Sequence, residues 1–251
     1  MTAGPVTVEQ HERVLVAKID REAKRNAIDA DVTAGIGAAL DRLEDDPELW
    51  AGVITGTASV FSAGTDMRAG MSETERGGRY GIISRVRTKP LVAAVEGAAL
   101  GGGFEVVLAC DLVVATRTAR FGLPEVHRSL VPTCGGLFRA PVALPHNVAN
   151  EMLLTGDPID AERAERLGLV NRVTEPGDAL AVAIALAARI CENGPVAVRE
   201  TMTFLTRLST AYEQHGWELT ELAEQVIYTS DDTREGVTAF FEKRAPRWTG
   251  R

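Results

Sequence analysis

Gly101-Gly102-Gly103-Phe104-Glu105 joins two segments with different patterns of apolar residues. The run Leu91 to Val95 before it is short and continuously apolar, which predicts a buried strand, and Phe104 to Cys110 has the pattern of a helix. A strand, a glycine turn and a helix N-terminus therefore follow one another. Because glycine lets another molecule approach the backbone and the first helical turn has free N–H groups, this turn is expected to bind an oxyanion.

A second strand end meets a glycine turn upstream, where the run Gly52 to Gly56 leads into the segment Phe61 to Asp66. Both turns predict backbone N–H groups that face a ligand. Two such groups that converge on one oxygen stabilise the enolate formed when a thioester carbonyl is polarised, an effect worth about 3–4 kcal/mol per donor. Chemistry of this kind then needs an acid and a base nearby.

Glu105 and Glu125 are the candidate acid and base. In a partly apolar pocket, two carboxyl groups can hold different protonation states and share proton transfer around one water. Each residue alone has a simpler interpretation. A glutamate in the first helical turn complements the helix dipole, and a glutamate after a proline can be an exposed loop charge. Their position beside the glycine turns favours the catalytic interpretation.

The order of these motifs resembles the crotonase superfamily of enoyl-CoA hydratases and isomerases. Its central signature is a Lys-Pro strand, a Gly-Gly-Gly-x-Glu turn and helix, and a later Phe-Gly-x-Pro-Glu. This chain carries them at Lys89 to Glu105 and at Phe121 to Glu125. Further segments that resemble family landmarks are Lys24 to Ala27, Phe61 to Asp66, Leu153 to Ile159, Ala164 to Asn171 and Glu235 to Arg244. The resemblance extends along nearly the whole chain.

The resemblance implies an α/β fold in which a crotonase-like right-handed spiral of strand-strand-helix turns precedes a C-terminal helical oligomerisation region. The spiral core with the acyl-CoA site is expected over residues 1–190, and the helices that pack on the core and on neighbouring subunits over residues 191–251. Subunits of this family form trimers, often paired as hexamers. A homo-trimer or hexamer is therefore expected here.

The pattern of apolar residues makes more local predictions. Strands are expected at 6–8, 14–19, 50–54, 91–95 and 111–115. Helices are expected at 31–43, in the eighties and at 102–110, and the chain from Pro145 onward is expected to be mostly helical.

The resemblance also implies roles for particular residues. The backbone N–H groups of Thr65 and Gly102 would form the oxyanion hole for the acyl-CoA carbonyl. Glu105 would orient and deprotonate the attacking water, and Glu125 would exchange a proton with the carbon next to the carbonyl. The residues expected to contact coenzyme A or the substrate are Lys24, Arg25, Ala27, Ala63, Asp66, Met67, Phe240 and Lys243, the last pair reaching the coenzyme A of a neighbouring subunit.

Because both hydratase glutamates are present, the sequence favours reversible addition of water to a 2-enoyl-CoA thioester, as in fatty acid and lipid metabolism. The alternatives are a crotonase-family isomerase, a carnitinyl-CoA-type dehydratase and a non-catalytic acyl-CoA-binding protein. Three departures from the family pattern concern the substrate. Glu96 replaces an asparagine, Leu137-Phe138 replaces a Thr-Gln pair, and the segment Met71 to Tyr80 at the acyl pocket is short and charged.

Composition narrows the classes of partner. The chain has 251 residues, of which 45% are hydrophobic, enough for a sizeable globular core. Its formal net charge of -8 disfavours nucleic-acid binding, which needs a basic face. The three cysteines and four histidines have neither disulfide-framework nor metal-ligand spacing. We expect a cytoplasmic enzyme with no membrane partner, no metal and no cofactor apart from the coenzyme A of its substrate.

Overall fold

The computed structural model describes residues 4–251 as twelve strands and eight α-helices. The strands are β1 (Val6–His11), β2 (Val14–Ile19), β3 (Ala51–Thr55), β4 (Val60–Ser62), β5 (Glu73–Thr74), β6 (Gly78–Arg79), β7 (Leu91–Val95), β8 (Ala98–Leu100), β9 (Leu112–Thr116), β10 (Arg120–Gly122), β11 (Ile159–Asp160) and β12 (Arg172–Thr174). The helices are α1 (Ala30–Asp45), α2 (Gly102–Leu108), α3 (Gly136–Ala143), α4 (His146–Thr155), α5 (Ala161–Arg166), α6 (Ala179–Cys191), α7 (Pro195–Thr229) and α8 (Asp231–Glu242).

Two sheets form the spiral. The larger has the order β1-β2-β3-β7-β9-β12, and the smaller has the order β11-β10-β8-β4. Only the β1–β2 and β10–β11 pairs in these sheets are antiparallel among the described residues. The strand pairs β3–β4, β7–β8 and β9–β10 each pass from the larger sheet to the smaller one, so successive turns of chain stack side by side. The predicted α/β spiral is confirmed.

The larger sheet is covered on both faces. Side chains of successive strand residues point to opposite faces, so Leu91, Ala93 and Val95 join the main core. Val92 and Ala94 instead pack with α6 in a second apolar cluster. A strand that is buried on both sides needs apolar residues at every position, which explains the continuous apolar run in its sequence.

The predicted helix in the eighties is wrong. Residues 80–84 form turns, and the short β5–β6 hairpin precedes them. Gly78, Tyr80 and Gly81 have φ angles of 62°, 56° and 75°, which lie in the left-handed region and interrupt any helix. A Cβ atom on Gly77 would lie only 1.9 Å from Gly81 O, so the backbone folds tightly on itself here. The other predicted helices and strands lie within a few residues of the observed ones.

Glu96, one of the departures from the family pattern, has a structural partner. It is buried, and its Oε1 accepts hydrogen bonds from the N–H groups of Gly177 at 3.0 Å and Ala179 at 3.4 Å. The carboxylate thus satisfies amides at the start of α6 and holds that helix against the larger sheet.

The helical C-terminal region predicted from the sequence is confirmed as α7 and α8, whereas its role in assembly stays a prediction. Within residues 4–251, no single helix is both long and apolar enough to cross a membrane. The consecutive helices α6 and α7 pass that test only as a pair, and they are bent by 108° relative to each other.

Candidate active site

The glycine turn before α2 needs residues without a side chain. Gly101 has a φ of 54°, and a Cβ atom there would lie 2.9 Å from Glu125 Oε1. A Cβ on Gly103 would lie 2.4 Å from Ser62 O in β4. The absence of a side chain at Gly101 lets the backbone approach Glu125, and its absence at Gly103 lets α2 pack close to the loop that follows β4.

The second predicted turn lies directly against the first. A Cβ atom on Gly64, whose φ is 92°, would lie 3.0 Å from Gly102 N. Ile28 N–H donates to Gly64 O and Asp66 N–H donates to Ile28 O, which holds the backbone on both sides of Thr65. The Thr65 amide itself has no acceptor within residues 4–251. The two N–H groups predicted as oxyanion donors therefore belong to adjacent segments of backbone.

Glu105 lies behind this pair of turns and is 2% exposed. Its Oε1 accepts hydrogen bonds from Cys134 N–H at 2.7 Å and Gly136 N–H at 2.9 Å. Burial raises the pKa of Glu105 to about 7, although these two hydrogen bonds and the charges of Arg139 and Arg79 act in the opposite direction. The carboxylate form is therefore stabilised specifically by backbone amides.

Glu125 follows Pro124 in a 3-10 turn over Pro124–Arg128. Its Oε2 is shielded from solvent and has no hydrogen-bond partner. Burial and the nearby charge of Glu105 raise the pKa of Glu125 to about 8. Because ionisation would place a second negative charge beside Glu105 in a buried position, the protonated form of Glu125 is favoured.

A cleft of about 1060 Å³ opens in front of these groups. Of the residues predicted for the site, it is lined by Lys24, Arg25, Ala27, Ala63, Thr65, Asp66, Met67, Gly102, Glu125, Phe240 and Lys243. Glu105 does not line it and lies farther inside. The family resemblance predicts that Phe240 and Lys243 reach the coenzyme A of a neighbouring subunit, whereas in this structure they line the cleft of their own chain.

The position of α8 explains that difference. Gly236 packs so closely that a Cβ atom would lie 2.3 Å from Arg128 O, and Thr233 Oγ1 donates to Ser129 O at 2.8 Å. The helix thus docks on the turn that carries Glu125. The guanidinium of Arg128 then lies 4.4 Å from the ring centroid of Phe240.

Several cations along the cleft are free of ion pairs with residues 4–251, although the chain as a whole is acidic. They are Lys24, Arg25, Arg68, Arg128 and Lys243. Asp66 is an acidic residue of the cleft, and its charge is paired: Arg21 contacts its carboxylate at 2.8 Å and lowers its pKa. The cleft is therefore suited to a ligand with negative charges along its length.

Buried Asn26 holds the Lys24–Arg25 segment at the cleft. Its side-chain amide donates to Val60 O at 2.8 Å and Phe61 O at 3.1 Å, and its Oδ1 accepts from Arg21 N–H at 2.9 Å. Both Arg25 and Asn26 have left-handed φ angles, of 52° and 53°. The contacts with β4 compensate for this strained backbone.

Sequence reasoning missed the residues that surround Glu105. Arg79 binds Thr133 O at 2.6 Å and Glu224 of α7 at 2.8 Å, which holds the segment whose amides contact Glu105. Tyr80 lies beside Thr65 and Gly102. The Gly135-Gly136 pair was a visible signal for this segment, but nothing local in the sequence connects Arg79 or Tyr80 with Glu105. Arg139, whose charge lowers the pKa of Glu105, pairs with Glu213 of α7 at 2.7 Å.

Comparisons with known proteins agree with this site and fold. A family model described as Enoyl-CoA hydratase/isomerase matches residues 9–251. An enoyl-CoA hydratase of Mycobacterium tuberculosis is 34% identical over 261 residues, covering 99% of this chain and 98% of the relative. Among solved structures, a carnitinyl-CoA hydratase from Mycobacterium avium has a TM-score of 0.93 at 40% identity and covers 100% of both chains. An enoyl-CoA hydratase from Mycobacterium tuberculosis has a TM-score of 0.79 at 44% identity, over 99% of this chain and 100% of that one. Motifs, fold and these matches lead to one conclusion: the chain belongs to the enoyl-CoA hydratase/isomerase family.

Proposed function

We propose that this protein is an enoyl-CoA hydratase, which adds water reversibly across the double bond of a 2-enoyl-CoA thioester. The observation that carries the proposal is the contrast between its two buried carboxyl groups. Glu105 Oε1 is held by two backbone N–H groups, and Glu125 Oε2 is shielded without a partner. One group is thereby suited to accept a proton and the other to donate one.

In the proposed reaction, the Thr65 and Gly102 N–H groups donate to the thioester oxygen and stabilise the enolate. Glu105 takes a proton from water while the water oxygen forms a bond to the β-carbon. Glu125 gives its proton to the α-carbon as the enolate collapses. The elements of water are thus added, and one proton must return from Glu105 to Glu125 before the next cycle. Every step uses groups of the protein alone, so dialysis against EDTA is expected to leave the rate unchanged.

The cations along the cleft support coenzyme A as the carrier of the acyl group. Its phosphates would contact Lys24, Arg25 and Lys243, which line the cleft without ion pairs to described residues. The test is the loss of conjugated thioester absorbance when purified protein is mixed with crotonyl-CoA. Turnover that disappears in the Glu125→Gln variant supports the proposal, and a rate equal in both proteins contradicts it.

A second candidate is dehydration of an acyl-CoA with a polar substituent. The specific observation is one of shape, because the solved carnitinyl-CoA hydratase superposes with a TM-score of 0.93, against 0.79 for the more identical enoyl-CoA hydratase. Product analysis with unsubstituted and polar-substituted acyl-CoA substrates separates the two candidates. It also separates both from an isomerase, which moves the double bond without adding water, and from a protein that binds acyl-CoA without turnover.

We also propose that the protein assembles as a homo-trimer or hexamer through α7. This helix exposes large apolar side chains, including Phe204 (66% exposed), Leu208 (63%), Leu222 (57%) and Val226 (68%). Exposed large apolar side chains in this number on one helix favour association. Light scattering on the purified protein measures the assembly directly. A role in fatty acid metabolism and a cytoplasmic location are part of the same proposal and follow from the family resemblance.

A further inference from the structure

Tyr80 is a buried side chain at the centre of the site to which the proposed mechanism gives no role. The residue is 2% exposed. Its hydroxyl oxygen lies 2.5 Å from Thr65 Oγ1. A Cβ atom on Gly102 would lie 2.6 Å from the Tyr80 hydroxyl oxygen. The phenol therefore contacts both residues whose amides are proposed to bind the thioester oxygen.

The other side of the Tyr80 hydroxyl faces the residues that position Glu105. The thiol of Cys134, whose amide donates to Glu105 Oε1 at 2.7 Å, lies near it. The sulfur of Cys134 in turn lies 3.3 Å from Met71 Sδ. Tyr80, Cys134 and Met71 thus form one continuous wall next to the reacting groups.

The backbone holds Tyr80 in a conformation that a tyrosine rarely adopts. Its φ is 56°, and its N–H donates to Ser72 O at 3.1 Å. On its C-terminal side, a Cβ atom on Gly81 would lie 2.5 Å from Thr33 O, so the chain packs tightly on α1. Backbone strain of this kind persists only where surrounding contacts impose it, and strained residues concentrate at functional sites.

The position of the wall relative to the cleft indicates what it contacts. Thr65, Gly102 and Glu125 line the open cleft, whereas Tyr80 does not. A thioester carbonyl held by the Thr65 and Gly102 amides would direct its acyl carbons past Glu125 and Glu105. Atoms beyond those carbons then meet the wall of Tyr80, Cys134 and Met71.

We propose that Tyr80 is a specificity-determining residue, which closes the acyl end of the site and selects short acyl groups that carry a hydrogen-bonding substituent. The ring blocks extension of an aliphatic chain, and the hydroxyl contacts a polar atom near the reacting carbons. This inference rests on the proposed function, since it takes an acyl-CoA thioester as the ligand.

Binding of acyl-CoA molecules that cannot be hydrated tests the inference without turnover. Titration calorimetry with butyryl-CoA and decanoyl-CoA measures selection by length, and acetoacetyl-CoA against butyryl-CoA measures selection by polarity. In Tyr80→Ala, the preference for butyryl over decanoyl is expected to fall by roughly tenfold or more, because space opens where the ring stood. In Tyr80→Phe, length selection should persist, while the relative affinity for acetoacetyl-CoA falls by about three- to tenfold.

Tyr212→Phe is the matched control, because Tyr212 is 54% exposed on α7. It should change neither ratio. Equal loss of affinity for every ligand in both Tyr80 variants would assign Tyr80 a structural role and overturn the inference, as would unchanged ratios. Circular dichroism of each variant identifies misfolding, and Tyr80→Phe retains the packing of the ring if Tyr80→Ala fails to fold.

The outcomes also separate this inference from the proposed function. If the affinity ratios shift in the Tyr80 variants but the unaltered protein hydrates no 2-enoyl-CoA, the role of Tyr80 in selecting the acyl group is supported and the proposed hydratase activity is rejected. If the protein hydrates crotonyl-CoA but the ratios are unchanged in the variants, the hydratase activity is supported and the role of Tyr80 is rejected. No affinity of the unaltered protein for any acyl-CoA would overturn both.

Discussion

Glu105 and Glu125 have the same side chain and belong to one site, but the protein surrounds them differently. Glu105 is 2% exposed and accepts two backbone hydrogen bonds on Oε1. Glu125 sits in a short turn at the cleft, with Oε2 shielded and unpartnered. Burial raises the pKa of both, and the charge of Glu105 raises that of Glu125 further. Backbone amides, and no difference in side-chain chemistry, distinguish the base from the acid.

The largest expected effect comes from removing either carboxyl group. Glu105→Gln and Glu125→Gln should each lower the hydration rate of crotonyl-CoA by about 10²–10⁴-fold, the usual contribution of a general acid or base. Only Glu125→Gln should also abolish deuterium exchange at the α-carbon of butyryl-CoA in D₂O. Loss of that exchange in Glu105→Gln alone would reverse the two assignments.

The pH dependence of hydration tests the contrast in protonation state. The active form has Glu105 ionised and Glu125 protonated, with pKa values of about 7 and about 8. The rate should fall at lower pH as Glu105 gains a proton, and at higher pH as Glu125 loses one, which gives a bell-shaped profile with its maximum between these values. A rate that is constant from pH 5 to 10 would contradict the assignment of Glu105 as the ionised base and Glu125 as the protonated acid.

Measurements of stability test the surroundings of each carboxyl group separately. The raised pKa of Glu125 favours the folded state only while the group is protonated, so this contribution is lost as pH rises toward about 8. Glu125→Gln removes that loss, and its free energy of unfolding relative to the unaltered protein should increase by roughly 3–4 kcal/mol between pH 5 and pH 9. Glu105→Leu instead leaves two amides unpaired and should cost about 2 kcal/mol. Urea unfolding at both pH values measures each change. A free energy of unfolding of Glu125→Gln that stays constant relative to the unaltered protein from pH 5 to pH 9 would contradict the raised pKa of Glu125, and full stability of Glu105→Leu would contradict the role of the two amides.

The smallest expected effect on the rate comes from removing Arg79, which holds the segment whose amides contact Glu105. Arg79→Met removes the hydrogen bond to Thr133 O at 2.6 Å and loosens the segment that carries the Cys134 amide. We expect kcat for crotonyl-CoA to fall by about tenfold with KM little changed, since the position of a catalytic group shifts while the cleft is kept. Arg117→Met is the control, because Arg117 pairs with Glu175 on the surface. An equal effect of both variants would show that Arg79 has no special role.

Much of this site was readable from the sequence because its elements are local. The strand 91–95, the turn at 101–103 and helix α2 follow from apolar runs and glycines, and the structure places them within two residues of the predicted bounds. The residues predicted for coenzyme A line one cleft, with the family resemblance as the source of that prediction. The prediction of a helix between residues 80 and 89 was wrong, because Gly78, Tyr80 and Gly81 adopt left-handed φ angles that tertiary packing imposes.

The sequence by itself determined where the backbone turns. Gly101 has a φ of 54°, which glycine adopts without strain, and an apolar run such as 91–95 requires burial. The tertiary structure alone decided which glutamate is stabilised as a carboxylate, because the amide of Cys134 that contacts Glu105 lies 29 residues away along the chain. It also decided that Tyr80 stands beside Thr65 and that α8 covers the cleft of its own chain. Local sterics act over a few residues, whereas pKa values and pocket shape depend on contacts through space that only the folded chain creates.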